Sequence, residues 1–317
     1  MKEYFNFNLK AQKLLPVWLI FLVVFMVPYV YLMVNIKDFI DPLHPTSILG
    51  FYGIMFVIVI FAYALLFYVV KLTIEGIEFK GTHFVFDGTF GQFIGKFILG
   101  TFLSVITLGI YSPWFITKMQ KFFVNHTSHE SKNLEFAGSA GKLFKIFLFS
   151  VFLPMLILIG IMVVLQIKNG LTDSKLIGYY TNGITLFIMI PYMYFFYKWM
   201  VNVKFKEYAI RWETGFWNSC GKILLEIILS IITIGIFYPL AILRLYQYFL
   251  DRTFAVSESH KKGFGYDLEA GKDFLFIWGQ LLLILVTLGV YYPWSYCKIN
   301  SRILSKTYTE QIAAENE

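Results

Sequence analysis

TLGIYSPW at Thr107–Trp114, TIGIFYPL at Thr233–Leu240 and TLGVYYPW at Thr287–Trp294 are one phrase written three times. Each copy closes an apolar run. Each is followed four places later by a cation, Lys118, Arg244 or Lys298, and thirteen places later by a threonine, Thr127, Thr253 or Thr307. A phrase repeated in register within an apolar chain marks a protein built by duplication. The repeat motif is Thr107, Gly109, Pro113 and Trp114, then Thr233, Gly235 and Pro239, then Thr287, Gly289, Pro293 and Trp294, with Leu240 in place of the tryptophan in the second copy.

The surrounding composition fixes the solvent. Of 317 residues, 58% are hydrophobic, 20% aromatic and only 15% charged, against about 25% charged in an ordinary soluble domain. Four apolar runs, Leu14–Ile36, Ile48–Val70, Leu143–Ile167 and Leu176–Val201, reach the roughly 20 residues needed to cross a bilayer. Too few polar residues remain to coat a core that buried all four. Lys2, Lys10 and Lys13 precede the first run, which is longer than the roughly 7–15 residues of a signal sequence and has no small-x-small cleavage site after it. It reads as a retained span. The two cysteines, Cys220 and Cys297, are far apart and serve as small apolar filler. The net charge of +7 is spread through short loops, which orients a membrane chain and does not mark a nucleic-acid surface.

An offset of 126 residues maps Phe79-Lys80 onto Phe205-Lys206, Gly95-Lys96 onto Gly221-Lys222, and Pro113 onto Pro239 without a gap. The chain therefore divides into a first half (1–142), a second half (143–262), and a third repeat with an acidic C-terminal tail (263–317). The third copy lacks a preceding pair of spans. It follows a polar linker that includes Asp251, Glu258, His260 and Lys261, and the segment GFGYDLEAGK at Gly263–Lys272.

Positive charge then poses a question of path. With the N-terminus and Lys71–Lys96 inside, a repeat that crossed would place Lys118, Lys121, Lys132, Lys142 and Lys145 outside, against the positive-inside rule. A repeat that enters and returns keeps them inside and leaves only the loops near Asp38–His44 and Lys168–Lys175 outside. Glycine, proline and threonine suit such a bend in a helix. A re-entrant hairpin, an in-plane amphipathic element and an ordinary span all stay open, because Gln92–Tyr111 is long enough to cross. FKGTHFVFDGTF (Phe79–Phe90) alternates between glycines and predicts a short strand or hairpin, and FKEYAIRWETGF (Phe205–Phe216) has similar spacing. The expected fold class is an all-α polytopic membrane protein with an internal duplication and small juxtamembrane β-like pieces.

These glycine-rich pieces, the TLGIYxPW element, the basic helix and the following threonine resemble the YjgN-like family of bacterial inner-membrane proteins, over roughly Ile74 to Thr307. The resemblance implies a multi-pass protein of the bacterial inner membrane and supplies no reaction, cofactor or catalytic residue.

Among polar positions, Glu226 lies inside an apolar run, where an ionisable side chain suggests a function. Lys222, four residues earlier, offers the structural explanation of an i,i+4 pair. Gln280 occupies the equivalent position in the third copy, Gly100 in the first. Glu226, Gln280 and Lys222 are the candidate polar pathway, and Lys118, Arg244 and Lys298 a candidate basic rim that would either meet an anion or anchor helix ends at lipid headgroups. The aromatic residues of the repeats fit an interfacial belt. His126, His129 and Glu130 lack further ligands for a zinc site. No nucleophile elbow, P-loop or dinucleotide fingerprint is present. The expected partner is the lipid bilayer, with a homo-oligomer left open and no nucleic acid or cofactor called for. A transporter or channel-like protein is the first expectation, a non-catalytic scaffold or lipid-interacting protein the second, and an enzyme the least supported.

Overall fold

The computed structural model describes residues 1–35, 45–169 and 174–312. Five times the chain runs strand, helix, helix, strand. The first pass is β1 (Lys2–Phe7), α1 (Ala11–Val34, with a π-helical stretch at Leu22–Met26), α2 (Pro45–Gly76) and β2 (Ile77–Phe79). After β3 (Thr82–His83) the second pass is β4 (Val85–Phe86), α3 (Phe90–Ile106), α4 (Ser112–Asn125) and β5 (Thr127–His129). The third begins with β6 (Lys132–Phe136). A helix α5 follows, made of Ala140–Phe147, a π-helical Leu148–Phe152 and Leu153–Asn169, and then come α6 (Ser174–Met200) and β7 (Val203–Phe205). The fourth is β8 (Tyr208–Trp212), α7 (Phe216–Ile232), α8 (Tyr238–Leu250) and β9 (Thr253–Val256). The fifth is β10 (Lys261–Tyr266), α9 (Ala270–Val286), α10 (Tyr292–Leu304) and β11 (Thr307–Ile312).

The all-α expectation is overturned. The eleven strands form one antiparallel sheet in the order β3-β2-β1-β11-β10-β9-β8-β7-β6-β5-β4. Its two ends, β3 and β4, are parts of one chain segment separated only by Phe84, so the sheet comes round on itself as a nearly closed barrel. Strands this short carry little hydropathy signal, and all but β3 pair on one side with a strand beyond an intervening helical hairpin or at the other end of the chain. Lys2↔Glu310 joins the two ends of the chain. The alternating stretches at Phe79–Phe90 and Phe205–Phe216 do hold strands, yet as staves of this barrel and not as separate caps.

Every helical pair starts and ends on adjacent strands: Phe7 faces Ile77, Phe86 faces Thr127, Phe136 faces Val203, Trp212 faces Thr253, and Tyr266 faces Thr307. All five hairpins therefore leave the barrel from the same rim. The opposite rim carries the tight turns, where Lys80-Gly81 and Glu130-Ser131 both take positive φ, the twist that suits a two-residue hairpin. Each helical hairpin packs on the next, and α10 packs against α1, closing the ring.

Among the described residues three helical stretches are long and apolar enough to cross a membrane: Ala11–Val34, Gly50–Gly76 and Ala140–Val164. This corrects the expectation of four. The fourth, Leu176–Val201, forms α6, whose C-terminal half is diluted by Tyr192, Tyr194, Tyr197 and Lys198. The loops expected outside, Asp38–His44 and Lys168–Lys175, lie wholly or largely outside the described residues, as does the end of the C-terminal tail.

The repeated phrase is the bend between the two short arms. Leu108, Ile234 and Leu288 sit at φ near +50°, each followed by a glycine, Gly109, Gly235 or Gly289, at φ between +82° and +88°. The glycine amides reach back five residues, Gly109 N donating to Ser104 O at 2.7 Å, in the manner of a Schellman turn. Thr107 Oγ1 donates to Leu103 O at 2.8 Å and accepts from Tyr111 N at 3.0 Å, and Thr233 and Thr287 repeat both bonds. Proline at the start of the returning helix has no amide to leave unsatisfied. The later threonines have their own task. Thr127, Thr253 and Thr307 donate to the carbonyls of Phe123, Phe249 and Ile303, ending the return helix where the strand begins.

Candidate functional site

The side chains of a strand alternate between its faces, and here the barrel's outer face is polar while its inner face is not. Lys2, Asn6, His83, Glu135, Lys204 and Arg211 are exposed. Facing inward, at the end of each outgoing strand, stand Phe7, Phe86, Phe136, Trp212 and Tyr266, all at most 5% exposed. Seven residues after each of these comes a buried residue of the outgoing helix: Leu14, Phe93, Leu143, Ser219 and Asp273. Phe86, for example, packs with Phe67, Phe93 and Phe122, and Phe136 with Leu143 and Trp199. These five aromatic side chains floor the barrel on the helical side.

Two residues nearer the turn rim, the next inward layer surrounds a cavity of about 320 Å³. Its walls include Phe5, Phe79, Phe84, Phe205 and Phe264, with Leu134, Ile210 and Ala255 between them. Two polar side chains, His129 and Thr309, complete the layer. His129 is buried, and its Nε2 lies 2.7 Å from Thr82 Oγ1 and 3.1 Å from the Phe79 carbonyl, so hydrogen bonds hold its ring against the wall.

Lys80, Lys206, Lys262, Glu130 and Tyr208 complete the cavity lining at the turn end. Lys80 meets Glu3 at 2.8 Å and Lys206 meets Glu130 at 2.5 Å, both half-exposed pairs. The Lys206 ammonium holds the Glu130 carboxyl below its ordinary pKa. Lys262 lies over the Tyr208 ring at 4.7 Å, and among the described residues no carboxylate pairs with it. A barrel wider than eight strands has room for a ligand inside its wall, and this volume falls at the lower end of small-molecule sites. The outgoing face of the barrel rim carries further pairs. Asp267, below its ordinary pKa, accepts from Lys2 Nζ at 2.7 Å, and Glu269, held at about 2 by Lys272 and Lys306, anchors the fifth hairpin.

The candidate polar pathway lies elsewhere, within the hairpins. Glu226 is fully buried, with Lys222 Nζ at 2.6 Å and Arg244 Nε at 3.2 Å, both on its Oε1, and among the described residues its Oε2 has no hydrogen-bond partner. Gln280 is buried with Oε1 similarly unpartnered, while Ser295 Oγ donates to the Gln280 carbonyl at 3.1 Å. The facing position on the return helix explains the size of each side chain. Gly100 faces Phe115, whose ring occupies the space a Cβ would need. The corresponding partners are Ala241 for Glu226 and Ser295 for Gln280. Large meets small in all three short hairpins, with the sense reversed in α3–α4.

The three rim cations are each held within their own hairpin. Lys118 donates to Tyr111 Oη at 2.7 Å and Lys298 to Tyr291 Oη at 2.8 Å. In α7–α8 Phe237 replaces that tyrosine, and Arg244 lies over its ring while reaching Glu226. Trp114 and Trp294 stack on Tyr111 and Tyr291. The tips also receive neighbours: Trp18 Nε1 donates to Gly289 O and Trp278 Nε1 to Ile236 O. Of the histidines, His126 bonds the Phe122 carbonyl and His129 the barrel wall, and among the described residues no three metal-ligating side chains gather.

Two features escaped the sequence reading. Asp273, 1% exposed, is bound by Arg302 at 2.6 Å and Lys306 at 2.7 Å, an ionic cluster at the foot of the fifth hairpin. The lumen itself was invisible, although the inward aromatic followed by a buried residue seven places on recurs five times and could have shown five units where the phrase showed three. Neither a curated protein nor a solved structure matches the chain. A family described as "Bacterial protein of unknown function (DUF898)", which is YjgN-like, matches residues 2–264, a stretch holding the first four hairpins whole. The chain belongs to that family.

Proposed function

We propose that this is a multi-pass protein of the bacterial inner membrane that interacts with lipid and holds its barrel at the cytoplasmic surface, and that it is not a permeation pathway. The observation that carries the reading is the hairpin tips. Leu108, Ile234 and Leu288 are 93%, 92% and 88% exposed, on strained backbone, and their neighbours Val105, Ile232 and Val286 are also exposed. Leaving a leucine or isoleucine in water costs about 1.5–3 kcal/mol each, so hydrocarbon is the environment such tips suit. From Gly109 back to Lys96 and forward to Lys118 the rise is about 14–20 Å at 1.5 Å per residue, roughly half to two-thirds of a 30 Å core. The short hairpins would dip into the bilayer and return, while α1, α2 and α5 are long and apolar enough to cross it. The basic residues of barrel and hairpin feet would then all lie inside, as the positive-inside rule favours.

Transport is the second reading, favoured by the buried Glu226. Against it, Glu226 is closed off by packing, and the aromatic floor separates the barrel lumen from the helices. Reconstituted proteoliposomes decide between them. The expected result is no ion or small-solute flux above protein-free vesicles. A protein-dependent flux that Glu226→Gln reduces would replace this reading with transport. A homo-oligomer is compatible with either reading.

A further inference from the structure

We infer that the barrel lumen is a binding site for an amphiphilic anion, an alkyl-chain carboxylate whose chain enters the lumen and whose head remains at the lysine mouth. The inference rests on the barrel alone and does not require the hairpins to lie in lipid, so either reading can fail without the other.

Three observations converge on it. The wall is apolar and aromatic, which selects a hydrocarbon body; each methylene taken from water favours the bound state about fourfold. The floor of buried aromatic residues makes the site blind, so a chain has one way in, from the turn rim. At that rim stand Lys80, Lys206 and Lys262 against the single lining carboxylate, Glu130. Lys262 is without a carboxylate, and the carboxylates that hold Lys80 and Lys206 are themselves half-exposed, so these pairs are weak and exchangeable. An anionic head can bind Lys262 and compete for the other two. A cationic or neutral head gains nothing there. Taking roughly 30 Å³ for each methylene-sized group, the volume share of one water, the 320 Å³ cavity accepts a chain on the order of ten carbons.

The test uses the full chain in nanodiscs of phosphatidylethanolamine and phosphatidylglycerol, with a decanoate carrying a diazirine near its methyl end. After irradiation, adducts are mapped by peptide mass spectrometry. Adducts are expected on the strand peptides holding Leu134, Phe205 and Phe264. Unlabelled decanoate should suppress them well before decylamine does. Ala255→Trp and, independently, Ile210→Trp fill the lumen and should abolish them. Lys262→Glu should reduce them about tenfold below saturation, the size of one charge-assisted hydrogen bond. Adducts on the long helices, formed by probe dissolved in the bilayer, should be unchanged in every variant and so report that each is folded. Adducts confined to the helices would overturn the inference. So would strand adducts that survive both tryptophan variants, or equal suppression by decylamine and decanoate.

Discussion

The first and second short hairpins have the same length, the same bend and the same two feet in the barrel, yet they fill the contact between their arms in opposite ways. In α3–α4 a glycine, Gly100, admits the Phe115 ring, and Lys118 turns to the Tyr111 hydroxyl. In α7–α8 the bulk moves to the outgoing arm as Glu226, Ala241 makes room, Phe237 has no hydroxyl, and Arg244 turns inward to the carboxylate. The lesson is that an ionisable residue in an apolar helix can be one solution to a packing problem that the same molecule solves elsewhere with a phenyl ring. Lys222 and Arg244 are then the counter-charges that a buried carboxylate requires.

That equivalence can be broken. Ala241→Phe puts the first hairpin's ring beside the second hairpin's glutamate, and overpacking should lower stability by about 3 kcal/mol. Adding Glu226→Gly should recover 1–3 kcal/mol, the range typical of coupled neighbours. Thermal unfolding in detergent of the two single variants and the double variant measures that coupling, and additive effects would dissolve the packing equivalence. Glu226→Ala alone should cost about 1–3 kcal/mol. This is less than for a wholly buried pair, because Lys222 and Arg244 retain 21% and 35% of their exposure and can recover water. Phe237→Tyr, which restores the hydroxyl of the first hairpin, should change stability by no more than about 0.5 kcal/mol; a larger gain would mean that Arg244 prefers the hydroxyl to Glu226.

The smallest effect lies at the foot of the fifth hairpin. The Glu269 carboxyl, normally titrating near 4.5, is held at about 2 by Lys272 and Lys306. Its depressed pKa stabilises the fold fully above pH 4.5, and the contribution fades as pH falls toward 2. Glu269→Gln should therefore flatten the pH dependence of unfolding slightly in that window and leave neutral pH almost unchanged.

Much of the helical plan was legible in the sequence, because long apolar runs and a phrase with glycine and proline in fixed register speak locally. The barrel was not. Alternation marked strands only at Phe79–Phe90 and Phe205–Phe216; β1 lay in what read as a basic N-terminal flank and β11 in what read as a tail, and strands of two to six residues whose partners are up to 308 residues away leave little periodic trace of their own. Glu226 and Lys222 stood out, since a charge in an apolar run is conspicuous. Arg244 stood out only as a rim cation, because its approach to Glu226 depends on the loss of a hydroxyl at Phe237. The lumen was hidden for the same reason as the barrel: its wall is assembled one or two residues at a time from nine separate strands, with Phe84 between two more.

Whether the repeated phrase marks a return decides the path of the chain. Single cysteines at Ser128, Ser257, Leu108, Ile234 and Leu288, in a chain carrying Cys220→Ser and Cys297→Ala, can be probed in oriented vesicles with a membrane-impermeant maleimide. Cysteines at 128 and 257 should label only from the face that bears the N-terminus, and the three tip cysteines from neither face. Labelling of 128 or 257 from the opposite face, or of any tip from that face, would contradict the hairpin return.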